Sequence, residues 1–159
     1  MTIIYNNEQH QELVKLAIEL NKQGKCIYKE NPKEDRGLSW YDNIVIGEIY
    51  WAYSPEFVTI IKNLLTTNID FEEFDDTFSS IRTKAQRDYH LLHRDLKQIE
   101  NFTSTFSTTR ELFRSAIDSI YRSLELVEDE YSSEQEVTSD IKEICLRQQI
   151  FKDEIEIWT

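Results

Sequence analysis

Glycine and proline, the residues on which tight turns most depend, are scarce in this sequence. Only three glycines and two prolines occur among 159 residues. A sandwich or barrel of many short strands would need such a residue at most of its turns, so the composition argues against these folds. Hydrophobic residues make up 40% of the chain and charged residues 30%, which is typical of a globular domain rather than a disordered one. The composition therefore favours a helical fold.

Cysteines and targeting signals are equally sparse. Cys26 and Cys145 are the two thiols, and no CxxC pair occurs, so neither a disulfide framework nor a cysteine metal site is indicated. The amino terminus lacks a basic region followed by an apolar run, which a secretory signal requires. The longest apolar stretch, residues 44–53, contains Glu48 and is too short to span a bilayer. We therefore expect an intracellular protein, cytoplasmic or in an organelle stroma if the gene is organellar.

Positive charge is also in deficit, and the excess negative charge is concentrated in two blocks. The chain carries 30 acidic and 18 basic residues, a net charge of -12. This balance argues against direct nucleic-acid binding, which needs positive charge to displace counterions. Residues 56–76 hold six acids and one base, and residues 118–159 hold twelve acids and four bases. Two such blocks brought together by folding would form a binding surface for a basic partner.

The first third of the chain predicts one helix followed by less regular structure. Apolar residues at helical spacing indicate a helix from about Asn7 to Gln23, and Gly24 is suited to end it in the left-handed conformation. Residues 26–28 suit a short strand or a turn, and the charged residues 29–37 suit a loop. The aromatic-rich residues 39–53 favour a buried helix, with a pair of strands as the second choice.

From Ser54 onward the helix signals are stronger. Ser54 and Pro55 fit the N-cap and the first position of a helix. Asp70 and Glu73 have the spacing of a capping box before a long helix that should run to about Asn101. Two further boxes are indicated by Thr108 with Glu111 and by Ser133 with Glu136, and the tail 153–159 could fray or form a short strand.

The predicted fold is all-α, an antiparallel four-helix bundle with an extra N-terminal helix and an aromatic-rich segment. The predicted domains are an N-terminal helical extension, residues 1–53, packed on the bundle, and an acidic four-helix domain, residues 54–159. In an antiparallel bundle the turn near residues 68–71 and the turn at 128–133 lie at the same end. The two acidic blocks should therefore meet there.

Three segments resemble the colicin D immunity protein family. Residues 69–78 (IDFEEFDDTF) are similar to the helix-opening stretch I-s-x-x-E-F-x-x-x-F of that family. Residues 112–118 (LFRSAID) resemble its third helix, and residues 134–141 (EQEVTSDI) resemble the acidic start of its last helix. The resemblance covers about residues 54–148 and leaves out residues 1–53.

The resemblance implies a small acidic protein that blocks the active cleft of a basic tRNA-cutting toxin. Carboxylates would then stand in for substrate phosphates, and neither catalysis nor a cofactor or metal would be required of this chain. The resemblance and the charge blocks together predict ten partner-binding acids, hereafter the acidic surface: Asp70, Glu72, Glu73, Asp75, Asp76, Glu125, Glu128, Asp129, Glu130 and Glu134.

Two other functions remain open from the residues alone. One is a helical protein-interaction or regulatory scaffold that binds another helix through an exposed groove. The other is a metal-dependent enzyme centred on His90 and His93, flanked by Asp88 and Asp95, although a metal site needs three or four convergent ligands. No HExxH, GxGxxG, P-loop or GxSxG motif occurs in the sequence.

Overall fold

The computed structural model describes residues 5–94 and 108–147. These residues form helices and no strand, which confirms the predicted all-α class for this part of the chain. The helices, in chain order, are α1 (Asn7–Lys22), α2 (Ile27–Glu30), α3 (Pro32–Ala52), α4 (Ser54–Leu65), α5 (Phe71–Arg94), α6 (Thr108–Glu128) and α7 (Glu134–Arg147). None of the described helices is long and apolar enough to cross a membrane.

The first helix follows the sequence closely. Asn6 is the N-cap of α1, and its side-chain oxygen accepts a hydrogen bond of 2.9 Å from the backbone N–H of Gln9. Gly24 has φ +72° just after the helix, a conformation that costs little only where no Cβ is present. Both ends of α1 are therefore determined by local residues.

The predictions for residues 26–37 were wrong, because this segment is helical. Cys26 precedes the short helix α2, so residues 26–28 contain no strand, and α3 begins at Pro32 in place of the predicted loop. Proline is tolerated in the first turn of a helix because its missing N–H would have no partner there. Gly37 faces α1, where an added Cβ would lie in contact with the Leu13 side chain at 3.4 Å.

Residues 39–52 lie in helix α3, which confirms the buried helix that was the first choice of the two predictions. Helix α3 contacts α1, α2, α4, α5 and α6, and its buried residues include Tyr41, Val45 and Tyr50. Buried residues from both sides of the predicted boundary at residue 53 belong to one core cluster. A shared core does not show whether either part folds on its own. The division into two domains therefore stays a prediction.

The predicted cap at Ser54 was wrong, whereas the cap at Asp70 is confirmed. Only Tyr53 separates α3 from α4, so Ser54 already lies inside the helix and no side chain caps it. Asp70 Oδ1 accepts a hydrogen bond of 2.8 Å from the backbone N–H of Glu73 at the start of α5. The predicted end of this helix near Asn101 lies outside the described residues.

The later helix starts agree with the sequence where they are described. Ser133 Oγ accepts a 3.2 Å hydrogen bond from the backbone N–H of Glu136 and lies 3.2 Å from the carboxylate of the same residue. Helix α6 begins at Thr108, whose capping side chain lies outside the described part, as does the tail 153–159.

Candidate functional site

Four acids at the start of α5 are exposed to solvent. Asp70, Glu72, Glu73 and Asp76 belong to the predicted acidic surface, and the side chain of Asp70 is also the N-cap. Within the described ranges, none of the four forms an ion pair with a cation of the chain. The positive end of the helix dipole stabilises carboxylates in the first turn of a helix. It does not cancel the negative charge that these side chains present to solvent.

Asp75 differs from its neighbours because it is half-buried. Burial raises the pKa of the Asp75 carboxyl, the nearby charge of Asp76 adds to this rise, and a hydrogen bond from the Ser79 hydroxyl at 3.4 Å opposes it. A carboxylate already bonded within its own helix offers less to a partner than an exposed one. Asp75 is therefore less available to a partner than the other acids of the predicted acidic surface at the start of α5.

The second group of acids lies at the end of α6 and in the turn that leads into α7. Its members are all exposed: Glu125, Glu128, Asp129, Glu130 and Glu134. Glu130 has φ +61°, and the backbone N–H of Tyr131 donates a 2.9 Å hydrogen bond to the carbonyl of Leu126. This bond and the left-handed Glu130 end the helix and give the turn a defined conformation. Tyr131 stands among the acids with 81% of its surface exposed, a feature that the sequence analysis did not anticipate.

Three arginines of residues 77–117, between the two acidic blocks, contact other parts of the protein. The guanidinium of Arg82 lies over the ring of Tyr121, 3.6 Å from its centroid. Arg110 pairs with Glu48, and Arg114 donates a 2.9 Å hydrogen bond to Asn43 Oδ1. Because these cations are engaged between helices, they do not neutralise the acidic surface.

A buried hydrogen-bonded chain joins α1, α3 and α5, and the sequence analysis missed it. His10 is fully buried, with Nδ1 2.7 Å from the Tyr5 hydroxyl and Nε2 2.8 Å from Asp42 Oδ1. A carboxylate only accepts, so Nε2 carries the proton, and in the neutral ring Nδ1 accepts from Tyr5. The Tyr89 hydroxyl also bonds to Asp42. His10 lies on the same helix as the buried Leu13 and Val14, which is the one sequence signal that could have revealed it.

This buried chain links three helices and is shielded from solvent. Burial raises the pKa of the Tyr5 and Tyr89 hydroxyls, and the charge of Asp42 adds to both shifts. Both hydroxyls therefore remain donors at neutral pH. His10 has no exposed surface and Tyr5 is only 5% exposed, so their hydrogen bond is formed inside the core.

The histidines considered as metal ligands lie near the end of the described part of α5. His90 is exposed, and the side chain of His93 lies outside the described residues, as does Asp95. In residues 5–94 and 108–147, no group of three or more histidine, cysteine, aspartate or glutamate side chains is arranged to hold a metal ion.

A groove of about 590 Å³ lies between α4 and α5. The wall from α4 consists of Pro55, Glu56, Thr59 and Ile60. The wall from α5 consists of Asp76, Thr77, Ser80, Ile81 and Lys84. The groove thus combines an apolar floor with hydroxyl and charged side chains, and it shares Asp76 with the acidic surface.

Comparisons with protein-family models, with curated proteins and with solved structures found no match to this chain. The resemblance to the colicin D immunity family therefore stays a prediction that depends on the three segments quoted above. The function has to be argued from the surface itself.

Proposed function

We propose that this protein is an immunity-like inhibitor that binds a basic ribonuclease toxin domain, of the tRNA-cutting kind, and occludes its active cleft. The observation that carries the proposal is a set of exposed acids that no cation of the described chain neutralises. Uncompensated charge of one sign costs stability through self-repulsion, and a partner of opposite sign removes that cost. The chain would act as an intracellular inhibitor without catalysis or cofactor.

The proposal includes an antiparallel four-helix arrangement of α4, α5, α6 and α7. Two pairings support opposite directions for α5 and α6. Arg82 stacks on Tyr121, and Tyr89, seven residues later on α5, is influenced by the charge of Arg114, seven residues earlier on α6. Extended along both helices, this register brings the first turn of α5 level with the end of α6. The two groups of acids would then share one end of the molecule.

The mechanism would be occlusion by phosphate mimicry. A ribonuclease cleft holds RNA phosphates with lysine and arginine side chains, and carboxylates at similar spacing can occupy those positions. Electrostatic attraction between the two surfaces would speed association, and dissolved salt would screen it. RNA and the inhibitor would compete for the same cations, so a bound toxin could not receive its substrate.

The test is to capture the natural partner with the tagged full-length protein, to identify it, and to measure association rates by stopped flow. The variant Glu72→Lys, Glu73→Lys, Asp76→Lys should associate at least tens-fold more slowly at low salt. The matched control is Glu8→Lys, Glu12→Lys, Glu19→Lys on α1, which changes the net charge equally at exposed positions away from the acidic surface. Equal slowing by both variants, or a partner that is neutral or acidic, would contradict the proposal.

The second candidate function is a helical protein-interaction scaffold without catalytic activity. The groove between α4 and α5 favours it, together with exposed leucines on α6 and α7 at positions 112, 126 and 146. A scaffold would bind its partner mainly through apolar contacts, so its association rate would respond weakly to salt. This candidate would be favoured by a captured partner that lacks nuclease activity and whose association rate does not depend on salt.

A further inference from the structure

The groove between α4 and α5 is long enough to hold part of a helix. On α5 the rim residues Asp76, Ser80 and Lys84 follow each other at intervals of four, so they form one line along the helix. The distance from Asp76 to Lys84 corresponds to about 12 Å, or roughly two helical turns. The largely buried side chains of Ile60 and Ile81 form the floor. Two turns of an incoming helix would cover this length.

The charges around the groove are asymmetric. Glu56 and Asp76 are exposed and form no ion pair within the part of the chain that the structure describes. Lys84 and Glu56 lie at the end opposite to Asp76, because the hydrogen bond from the Tyr53 hydroxyl to Asp88 places the start of α4 beside that part of α5. Glu72 and Glu73 lie one turn before Asp76 on the same helix. The Asp76 end is therefore strongly negative, and the floor is apolar. An occupant complementary to both features carries apolar residues on one side and positive charge toward that end.

We propose that this groove binds a basic amphipathic helix of the partner protein. An apolar side chain of that helix packs on Ile60 and Ile81, and a lysine or arginine one turn away pairs with Asp76. This is the helix-in-groove mode, in which residues at i, i+3 and i+4 anchor the ligand. The inference depends on the proposed function only for the basic character of the partner, and it adds an apolar anchor that charge alone does not supply.

The experiment uses the full-length protein and two synthetic peptides of about four helical turns each. The first peptide contains leucines at i, i+3, i+4 and i+7 with lysines at the remaining positions. The second has the same composition, with the leucines distributed around the helix so that no apolar face forms. Binding is measured by fluorescence anisotropy, and backbone amide shifts in ¹⁵N NMR spectra locate the site.

The variants are matched in chemistry and position. Ser80→Phe fills the groove from an exposed position, and Ser139→Phe makes the same change at an exposed position on α7. Asp76→Asn removes the rim carboxylate, and Asp140→Asn removes an exposed carboxylate on α7. Far-ultraviolet circular dichroism of each variant verifies that the helices are retained.

We expect the amphipathic peptide to shift amides along α4 and α5 and to bind at least tenfold more tightly than the scrambled peptide. Ser80→Phe should weaken binding about tenfold and Asp76→Asn about two- to fivefold, while both α7 controls leave it unchanged. Equal binding of the two peptides, shifts confined to other helices, or equal effects of Ser80→Phe and Ser139→Phe would overturn the inference. Self-association that Ser80→Phe abolishes would also overturn it, because the occupant would then be a second copy of the chain.

The outcome separates this inference from the proposed function. If the natural partner proves acidic but the amphipathic peptide binds in the groove, the toxin proposal is contradicted and the groove inference is supported. If a basic nuclease binds and Ser80→Phe leaves its affinity unchanged, the groove inference is contradicted and the proposed function of the acidic surface is supported.

Discussion

Arg82 and Tyr121 are stacked, with the guanidinium carbon 3.6 Å from the centroid of the phenol ring. The same guanidinium forms a hydrogen bond with Tyr50, whose hydroxyl pKa is raised mainly by burial and lowered in part by this cation. One side chain of α5 therefore connects α3 and α6. A planar cation suits both contacts, because it stacks on an aromatic face and donates in its own plane.

Replacing Arg82 should destabilise the protein in a way that its charge alone does not explain. We expect Arg82→Ala to lower the free energy of unfolding by about 2 kcal/mol, since the stacking and the hydrogen bond are both lost. Arg82→Lys should recover only part of the loss, because an ammonium cannot make both contacts. Urea denaturation of both variants and of Tyr121→Leu, combined in a double-mutant cycle, measures the coupling. A coupling energy near zero would show that the stack contributes nothing.

His10→Leu should be among the most destabilising single changes in α1. The substitution leaves the Tyr5 hydroxyl and the half-buried Asp42 carboxylate without their hydrogen bonds to the imidazole, which costs about 3 kcal/mol. The matched control is Glu12→Leu, an exposed change on the same helix, which should alter stability by less than about 0.5 kcal/mol. Equal urea midpoints for the two variants would contradict the structural role of His10.

Alkaline pH should destabilise the protein through its buried tyrosines. The pKa values of Tyr5, Tyr50 and Tyr89 are raised in the folded state, chiefly by burial. The unfolded chain therefore releases these protons first. Their contribution to stability is complete below the ordinary tyrosine pKa of about 10 and is lost as the pH rises above it. The urea midpoint should thus fall steeply above about pH 10.

The variant Tyr89→Phe provides the comparison for this pH dependence. It lacks one of the shifted hydroxyls, so its urea midpoint should fall less steeply with pH, although its stability at neutral pH is lower because the bond to Asp42 is lost. Tyrosine absorbance at 295 nm follows ionisation in the same samples. Parallel midpoint curves for the two proteins would exclude Tyr89 as a source of the effect.

Asp70 has two roles that substitutions can separate. Asp70→Asn removes the charge but retains a side-chain oxygen for the N–H of Glu73, whereas Asp70→Ala removes both. Only the alanine variant should lose stability, by about 1 kcal/mol. Under the proposed function both variants should slow association with the partner to the same modest degree. A stability loss in the asparagine variant, measured by urea denaturation, would show that the charge itself stabilises the helix start.

Local signals predicted those parts of the fold that depend on local chemistry. Gly24, the Asp70 cap and the Ser133 cap are each determined by residues within four positions of one another. The loop prediction for the segment around Pro32 and Gly37 was wrong. Its charged residues, proline and glycine are typical of loops, but packing against other helices favours a helix there. Gly37 packs against Leu13 of α1, a contact that no local sequence pattern reveals.

The candidate site shows the same division between local and long-range information. Exposure of the acids follows from their position on polar helix faces, which periodicity indicates. The half-burial of Asp75 depends on packing with other helices, and the link from His10 to Asp42 spans 32 residues. Pairing between distant side chains is decided by the assembled core, so a single sequence could not provide it.

The central position of α3 has a consequence for synthesis. Asn43 accepts its hydrogen bond from Arg114, 71 residues later in the chain, and Trp51 packs edge-on against Phe113 at 5.5 Å. At ribosomal rates of about 5 to 20 residues per second, about 4 to 14 s pass between the emergence of these partners. During that interval the apolar side of α3 that faces α6 is bare, although α1 has already emerged and α4 and α5 emerge before α6. The contact face of α3 toward α6 is therefore a part of the core that is completed only late in synthesis.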